Sequence, residues 1–342
     1  MFTTKDQTYL KRPTLYLLAL VILGSAFNVN AKEYSLLNVS YDVSRELYKD
    51  INAAFTDYWL KKNGDKVTIQ QSHDGSTKQV AAVIAGLEAD VVTMNQETDV
   101  DKLVSKDLVN KEWRSRFPDN SAPYTSITVF LVRKGNPKAI KDWDDLIKPG
   151  TVAVLSNPKT SGNARYSYLA AWGYALRQWG SDEKAQDFVT QLFKNVPVLS
   201  TGGRAATNAF IQNNIGDVLL TFENEAFLIA NDLGADQFDV VIPSASIVAD
   251  HPVAIVQTVV NKKSSEKLAE AYLGFLWSDV GQEIIAKHHY RPRNPEILAR
   301  HADQFAKLEL FTVKDIIPGG WEAVQRIHFA DGGLFDQIYK KE

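Results

Sequence analysis

The sequence predicts an α/β fold in two lobes with a ligand cleft between them. Three observations predict it. At 342 residues the chain exceeds what one ordinary core holds. Short apolar runs alternate with amphipathic stretches along most of its length. A long apolar strand at 127–133 (ITVFLVR) follows a pattern-breaking segment at 119–124 (DNSAPY), and a second apolar strand returns at 218–222 (VLLTF).

The elements follow in order. Residues 34–39 (YSLLNV), 66–70, 90–94, 127–133, 152–155, 218–222 and 238–242 read as buried strands. Between them, residues 44–59, 78–86, 164–177, 183–194, 204–212 and 265–276 read as helices. Strand and helix in alternation predict a mostly parallel sheet in each lobe, flanked by helices. The division expected is 32–118 for the first part of lobe I and 119–222 for lobe II. Residues 223–300 then complete lobe I, and 301–342 form a C-terminal segment packing on the lobes. Two crossings between lobes would make a hinged cleft that closes on a small ligand.

Residues 1–31 read as a secretory leader: Lys5, Lys11 and Arg12 precede an apolar core at 15–23, and Val29-Asn30-Ala31 offers the cleavage site. A membrane span needs about 20 apolar residues, roughly twice this run. The chain has no cysteine, which excludes thiol catalysis, Cys-based metal sites and a lipid-bearing cysteine. A free, exported protein of this composition fits a periplasm, as a monomer. The leader contributes Lys5, Lys11, Arg12 and Asp6, a net +2, so the remainder carries −3 − 2 = −5. That balance, without a basic stripe, excludes nucleic acid as a partner.

Four segments share one design, a strand, a polar or glycine-containing turn and then a helix: 40–44 (SYDVS), 72–77 (SHDGST), 157–163 (NPKTSGN) and 201–204 (TGGR). Each sets free backbone N–H groups and a partial positive charge at a helix start, which suits a tetrahedral oxyanion. Each is equally a plain N-cap.

The wording of these segments goes further. Residues 37–48 (LNVSYDVSRELY) and 157–166 (NPKTSGNARY), running into 168–175 (YLAAWGYA), closely resemble the two signatures of the prokaryotic sulfate-binding proteins. Similarity continues through 119–138, 216–225 (GDVLLTFENE), 290–293 (YRPR) and 329–338. The resemblance implies the type II periplasmic-binding-protein fold. It also implies a receptor that hands sulfate, or in some members thiosulfate, to the membrane permease subunits of an ATP-driven (ABC) importer. It implies an anion held without countercharge, cofactor or metal, by the backbone of Asp42, Ser76, Gly162, Asn163 and Gly203 and the hydroxyl of Ser161. The family often adds a tryptophan indole where this chain has Phe222.

Phenylalanine has no N–H, so Phe222 either weakens sulfate binding or suits an anion with one softer terminal atom, such as thiosulfate. Asp74, Asn163 and Gly203 also depart from the family's usual residues. Asp74 is expected to point outward or cap the helix near Ser76. Asp42 is expected to accept N–H groups at the start of the 44–59 helix, and Arg45, Arg165 and Arg204 to pair away from the ligand. Phosphate or molybdate is the alternative ligand. A secreted hydrolase is the remote alternative, but no G-x-S-x-G elbow occurs and Ser72, His73 and Asp74 are too close in sequence to converge as a triad. The pair His288-His289 cannot share a metal, since neighbours in sequence point apart.

Overall fold

The computed structural model describes residues 1–3, 32–233 and 236–339. The expected leader therefore lies outside the described residues, apart from 1–3. In chain order the strands are β1 (Glu33–Tyr41), β2 (Lys66–Asp74), β3 (Val91–Thr93), β4 (Tyr124–Arg133), β5 (Ala153–Ser156), β6 (Leu199–Ser200), β7 (Val218–Phe222), β8 (Phe238–Val241), β9 (Ala245–Asp250), β10 (Val253–Ile255), β11 (Arg291–Pro292) and β12 (Glu309–Phe311). The helices that matter for the site are α1 (Arg45–Asn63), α2 (Ser76–Ile84), α3 (Glu97–Val104), the single turn α4 (Pro118–Ser121), α5 (Gly162–Trp179), α6 (Asp182–Lys194), α7 (Gly203–Ile211) and α8 (Glu223–Leu228).

Two sheets organise the molecule. The smaller has the order β10-β3-β1-β2, and the larger β12-β9-β4-β7-β5-β6, with β8 and β11 also on β4. Period-two alternation builds a core on each face of the larger sheet. Ile127, Val129 and Leu131 of β4 join Phe210 and Leu219 on one side. Phe130 and Val132 join Trp143, Leu169 and Leu220 on the other. In the smaller sheet Leu36 and Val91 face α1, whose Leu47, Tyr48, Ile51 and Phe55 line one stripe. Val39 and Val92 face α2 and α3 through Val80, Val83 and Leu103.

The smaller sheet is parallel except for β10, as expected. The larger is mixed, because β4 runs antiparallel to β7, β8 and β9. The reason is geometric. A strand entering from the other lobe starts at the edge facing that lobe, where its parallel neighbours end, so it must run the opposite way.

Sheet membership also differs from the expected division. Strands β8 and β9 stay in the larger sheet, and the chain regains the smaller one between Asp250 and Val253, not at 223. Helix α8 continues directly from β7 and packs back on β4, which keeps the chain on the larger sheet beyond 223. A third passage brings the chain back to the larger sheet at β11, which pairs with the first residues of β4, and β12 then joins β9. The 119–124 segment is the first passage: Asp119, Asn120 and Ser121 take positive φ of 54°, 55° and 59°. Asn and Asp tolerate that region better than most residues.

Candidate functional site

The register of the strands places the turns. In the smaller sheet Tyr41 pairs with Asp74 and Ser40 with Thr93, so β1, β2 and β3 end side by side. In the larger sheet Ser156 pairs with Ser200, and β7 lies beside β5. The turns after these strands are Asp42–Ser44, Asp74–Ser76, Asn157–Gly162 and Thr201–Gly203. They sit outside carboxyl strand ends, where open α/β sheets hold their ligands.

The two sets of turns meet. A methyl group at Gly75 would stand 3.0 Å from the Thr160 carbonyl and 3.3 Å from that of Thr201. One at Gly202 would stand 2.6 Å from Asp42 Oδ2, and one at Gly203 would lie 3.4 Å from Asp42 Oδ1 and 3.6 Å from Asn163 Cβ. Only glycine permits this approach at 202. Asp42, Ser76, Ser161, Asn163 and Phe222 are all buried, as are Gly162 and Gly203.

Within this meeting point, helix starts supply free donors. The first helical bonds of α2, α5 and α7 are donated by Gln79, Arg165 and Ala206, to Gly75, Ser161 and Gly202. The amides of Ser76, Gly162, Asn163 and Gly203 precede them and have no intrahelical acceptor. Ser156 donates to Ser161 Oγ at 2.9 Å, leaving Ser161 its own proton to give. The Ser76 hydroxyl is committed elsewhere, donating to Asp99 Oδ2 at 2.6 Å.

Phe222 ends β7, and its neighbour Thr221 accepts from Asn163 Nδ2 at 3.2 Å. Its ring packs edge-on against His251 at 5.0 Å and beside Tyr166 at 5.8 Å. The structure thus gathers Asp42, Ser161, Gly162, Asn163 and Gly203 most tightly, with Ser76 and Phe222 at the margins of the same seam.

The guanidinium groups of Arg204 and Arg165, near the seam, are engaged by carboxylates and carbonyls. Arg204 donates to Glu46 at 2.8 and 3.0 Å and to Glu225 at 2.9 and 3.1 Å, tying α7 to α1 and α8. Burial, which would raise the Glu46 carboxyl, is outweighed by Arg204, and the group sits below its ordinary value. Fully buried Glu225 moves the other way, raised by burial against the pull of Arg204. Arg165 donates to the Pro158 carbonyl at 2.8 Å and to Thr77 Oγ1 at 3.2 Å. Its Nη1 lies 3.7 Å from Asp99, an ion pair too long to be a hydrogen bond. Arg45 is exposed.

One side-chain expectation, for Asp42, differs in detail, and the one for Asp74 holds. Asp42 does accept from Val43 N at 3.0 Å, but its second bond, 2.9 Å from Arg204 N, caps α7 from the other lobe and not α1. Burial raises its carboxyl above the ordinary value. Asp74 points outward, accepting from Gly75 N at 2.7 Å and pairing with Lys78 at 3.4 Å. Among the described residues no group of three or more His, Asp or Glu could hold a metal. His288 bonds Asp50, and His289 stacks on Phe227.

Sequence reasoning missed two residues. Asn95, just past β3, is buried with its carboxamide against Gly162. His251, at the second passage between sheets, is buried with neither ring nitrogen hydrogen-bonded, stacked on Tyr41 at 5.1 Å. Burial, with Arg293 adding, pulls its imidazole down to about 3. Neither bears a local signal, since each is defined by what packs on it from elsewhere.

The family model of bacterial extracellular solute-binding proteins matches residues 37–291. A thiosulfate-binding protein of Pseudomonas aeruginosa is 60% identical over 305 residues, 89% of this chain and 92% of that one. A sulfate-binding protein of Escherichia coli is 54% identical over 323 residues, 94% of this chain and 98% of that one. The solved structure of the sulfate-binding protein SubI from Mycobacterium tuberculosis superposes with a TM-score of 0.78 at 30% identity, covering 86% of this chain and 98% of that one.

Proposed function

Because the chain belongs to the bacterial extracellular solute-binding proteins, in the branch of sulfate- and thiosulfate-binding proteins, we propose that it captures sulfate in the seam between its lobes and delivers it to an ATP-driven importer. The anion is held by the amides of Asp42, Ser76, Gly162, Asn163 and Gly203 and by the Ser161 hydroxyl. Its charge is met by helix starts and not by cations. The observation that supports this most is the convergence of uncommitted helix-start amides from both lobes, at a place where Arg165 and Arg204 are already paired.

Selectivity follows from the same chemistry. Sulfate carries no proton near neutral pH, whereas phosphate usually carries one. A cage of donors leaves that phosphate hydroxyl without an acceptor, and sites with unmatched buried polar groups reject strongly. No catalytic step is part of this reading. The leader-like pattern at 1–31 supports a periplasmic location for the mature protein, and no described helix is long and apolar enough to cross a membrane.

A second reading, thiosulfate, is favoured by one observation. Phe222 brings an apolar ring to the margin where a donor would otherwise reach an oxygen, and a soft terminal sulfur needs a donor less. Calorimetric titration of the ligand-stripped protein with sulfate, thiosulfate, phosphate and molybdate tests both. Tight sulfate binding is the expected result. Tight thiosulfate binding with weak sulfate binding replaces the first reading by the second, and no heat from either sulfur anion rejects both.

A further inference from the structure

The loop between β3 and α3, with the first turn of α3, holds a concentration of unmet polar groups. Asn95 Oδ1, both ends of the Gln96 carboxamide and Thr98 Oγ1 are all buried without a hydrogen-bond partner. Such atoms are rare in folded proteins, and each calls for a partner from water or a ligand. Asn95 is the one placed between the two lobes' donors. Its backbone N–H reaches Ser76 Oγ at 3.3 Å on the side of the smaller sheet. Its side chain lies on the first residue of α5, where a methyl group at Gly162 would stand 2.4 Å from Asn95 Cβ and 2.8 Å from Nδ2.

We propose that Asn95 is a specificity-determining residue, its carboxamide touching the bound anion between the amides of Ser76 and Gly162. This rests on the anion-binding reading above and adds to it a group of a different kind. The backbone amides of the cage can only donate toward the ligand, and the Ser161 hydroxyl already accepts from Ser156, whereas a carboxamide presents N–H or C=O according to how it is turned. Turned one way it donates to a fully deprotonated sulfate or thiosulfate. Turned the other way it accepts from the hydroxyl of hydrogen phosphate, so residue 95 decides how strictly protonated anions are refused.

Two substitutions and one direct signal test this. Asn95→Leu removes both capacities at similar size, and Asn95→Asp leaves acceptors alone. In calorimetric titrations, Asn95→Leu weakens sulfate and thiosulfate at least about tenfold, the scale of one hydrogen bond to a charged group. Asn95→Asp loses more than a hundredfold for both sulfur anions but less for phosphate, so the phosphate-to-sulfate affinity ratio rises. In wild-type protein, the Asn95 side-chain N–H resonances, assigned through bonds to the Asn95 backbone, move on sulfate addition. That signal decides the matter even if a variant folds poorly.

Wild-type affinity in Asn95→Leu, equal losses for all three anions in Asn95→Asp, or unmoved Asn95 resonances at saturation overturns the assignment while the anion reading stands. A wild-type protein that binds none of the three anions removes both.

Discussion

Ser161 shows how a short stretch of sequence can carry a binding role. It follows a proline-containing turn, precedes Gly162 and Asn163, and receives a hydrogen bond from Ser156 that frees its proton. Ser161→Ala is expected to weaken sulfate binding about tenfold, the low end for a hydrogen bond to a charge, read by calorimetry. Phe222→Trp should restore an indole donor and shift the sulfate-to-thiosulfate affinity ratio toward sulfate. The larger ring must displace His251 or Tyr166 to fit, so binding and melting temperature are measured together. The residues of the four turns were legible because helix-start chemistry is local: glycine, serine and asparagine in a turn mean the same wherever the turn ends up. Asn95 and His251 were not. Nothing in the sequence around Asn95 shows that Gly162 will lie on it, and His251 looks like any residue between two strands until Tyr41 stacks over it.

At the level of elements, runs with a clear period were read well. Strand 218–222 coincides with β7, and α5, α6 and α7 begin within two residues of their expected starts. What escaped was direction and partnership. The ten-residue apolar β4 gives no hint that it runs against its neighbours, because a strand buried on both faces has the same pattern either way. The link between α7 and α1 was equally hidden, since Arg204 and Glu46 are 158 positions apart. Arg204 holds Glu225, whose side chain has no exposed surface and whose other partner is Thr207 Oγ1 at 2.8 Å. Arg204→Leu strands that carboxylate in the interior. A buried pair broken on one side costs about 3–5 kcal/mol, so urea unfolding should shift by that amount. The double variant Arg204→Leu with Glu225→Gln should recover part of it, because no charge is then left unpaired.

For the molecule as a whole, buried histidines couple folding to acidity. Burial lowers His251 to about 3 and His328 to about 4, against 6.5 for an ordinary imidazole. Between those values and about 6.5 the unfolded chain binds protons that the folded protein refuses. Stability from these groups is therefore present above that window and lost as pH falls through it, by at most about 1.4 kcal/mol per pH unit for each histidine. Asp42, Glu223 and Glu225 are raised by burial and act with the opposite sign. The informative measurement is thus a difference: His251→Phe should make the fall in stability from pH 6.5 to 4 shallower than in the wild type. An unchanged slope would mean that the imidazole is protonated as easily inside as outside.

The three passages between the sheets have a mechanical consequence. A pair of bodies joined by one strand can twist and wander, but three ties among the described residues, at the α4 turn, at His251-Pro252 and at β11, with the first residues of β4 laddered to both β9 and β11, act like stitches along the spine of a book. Such ties would let the covers open and shut but not rotate past each other. Each shutting would bring the same pages into register, and a protease that cut one stitch would still leave two to guide the fold.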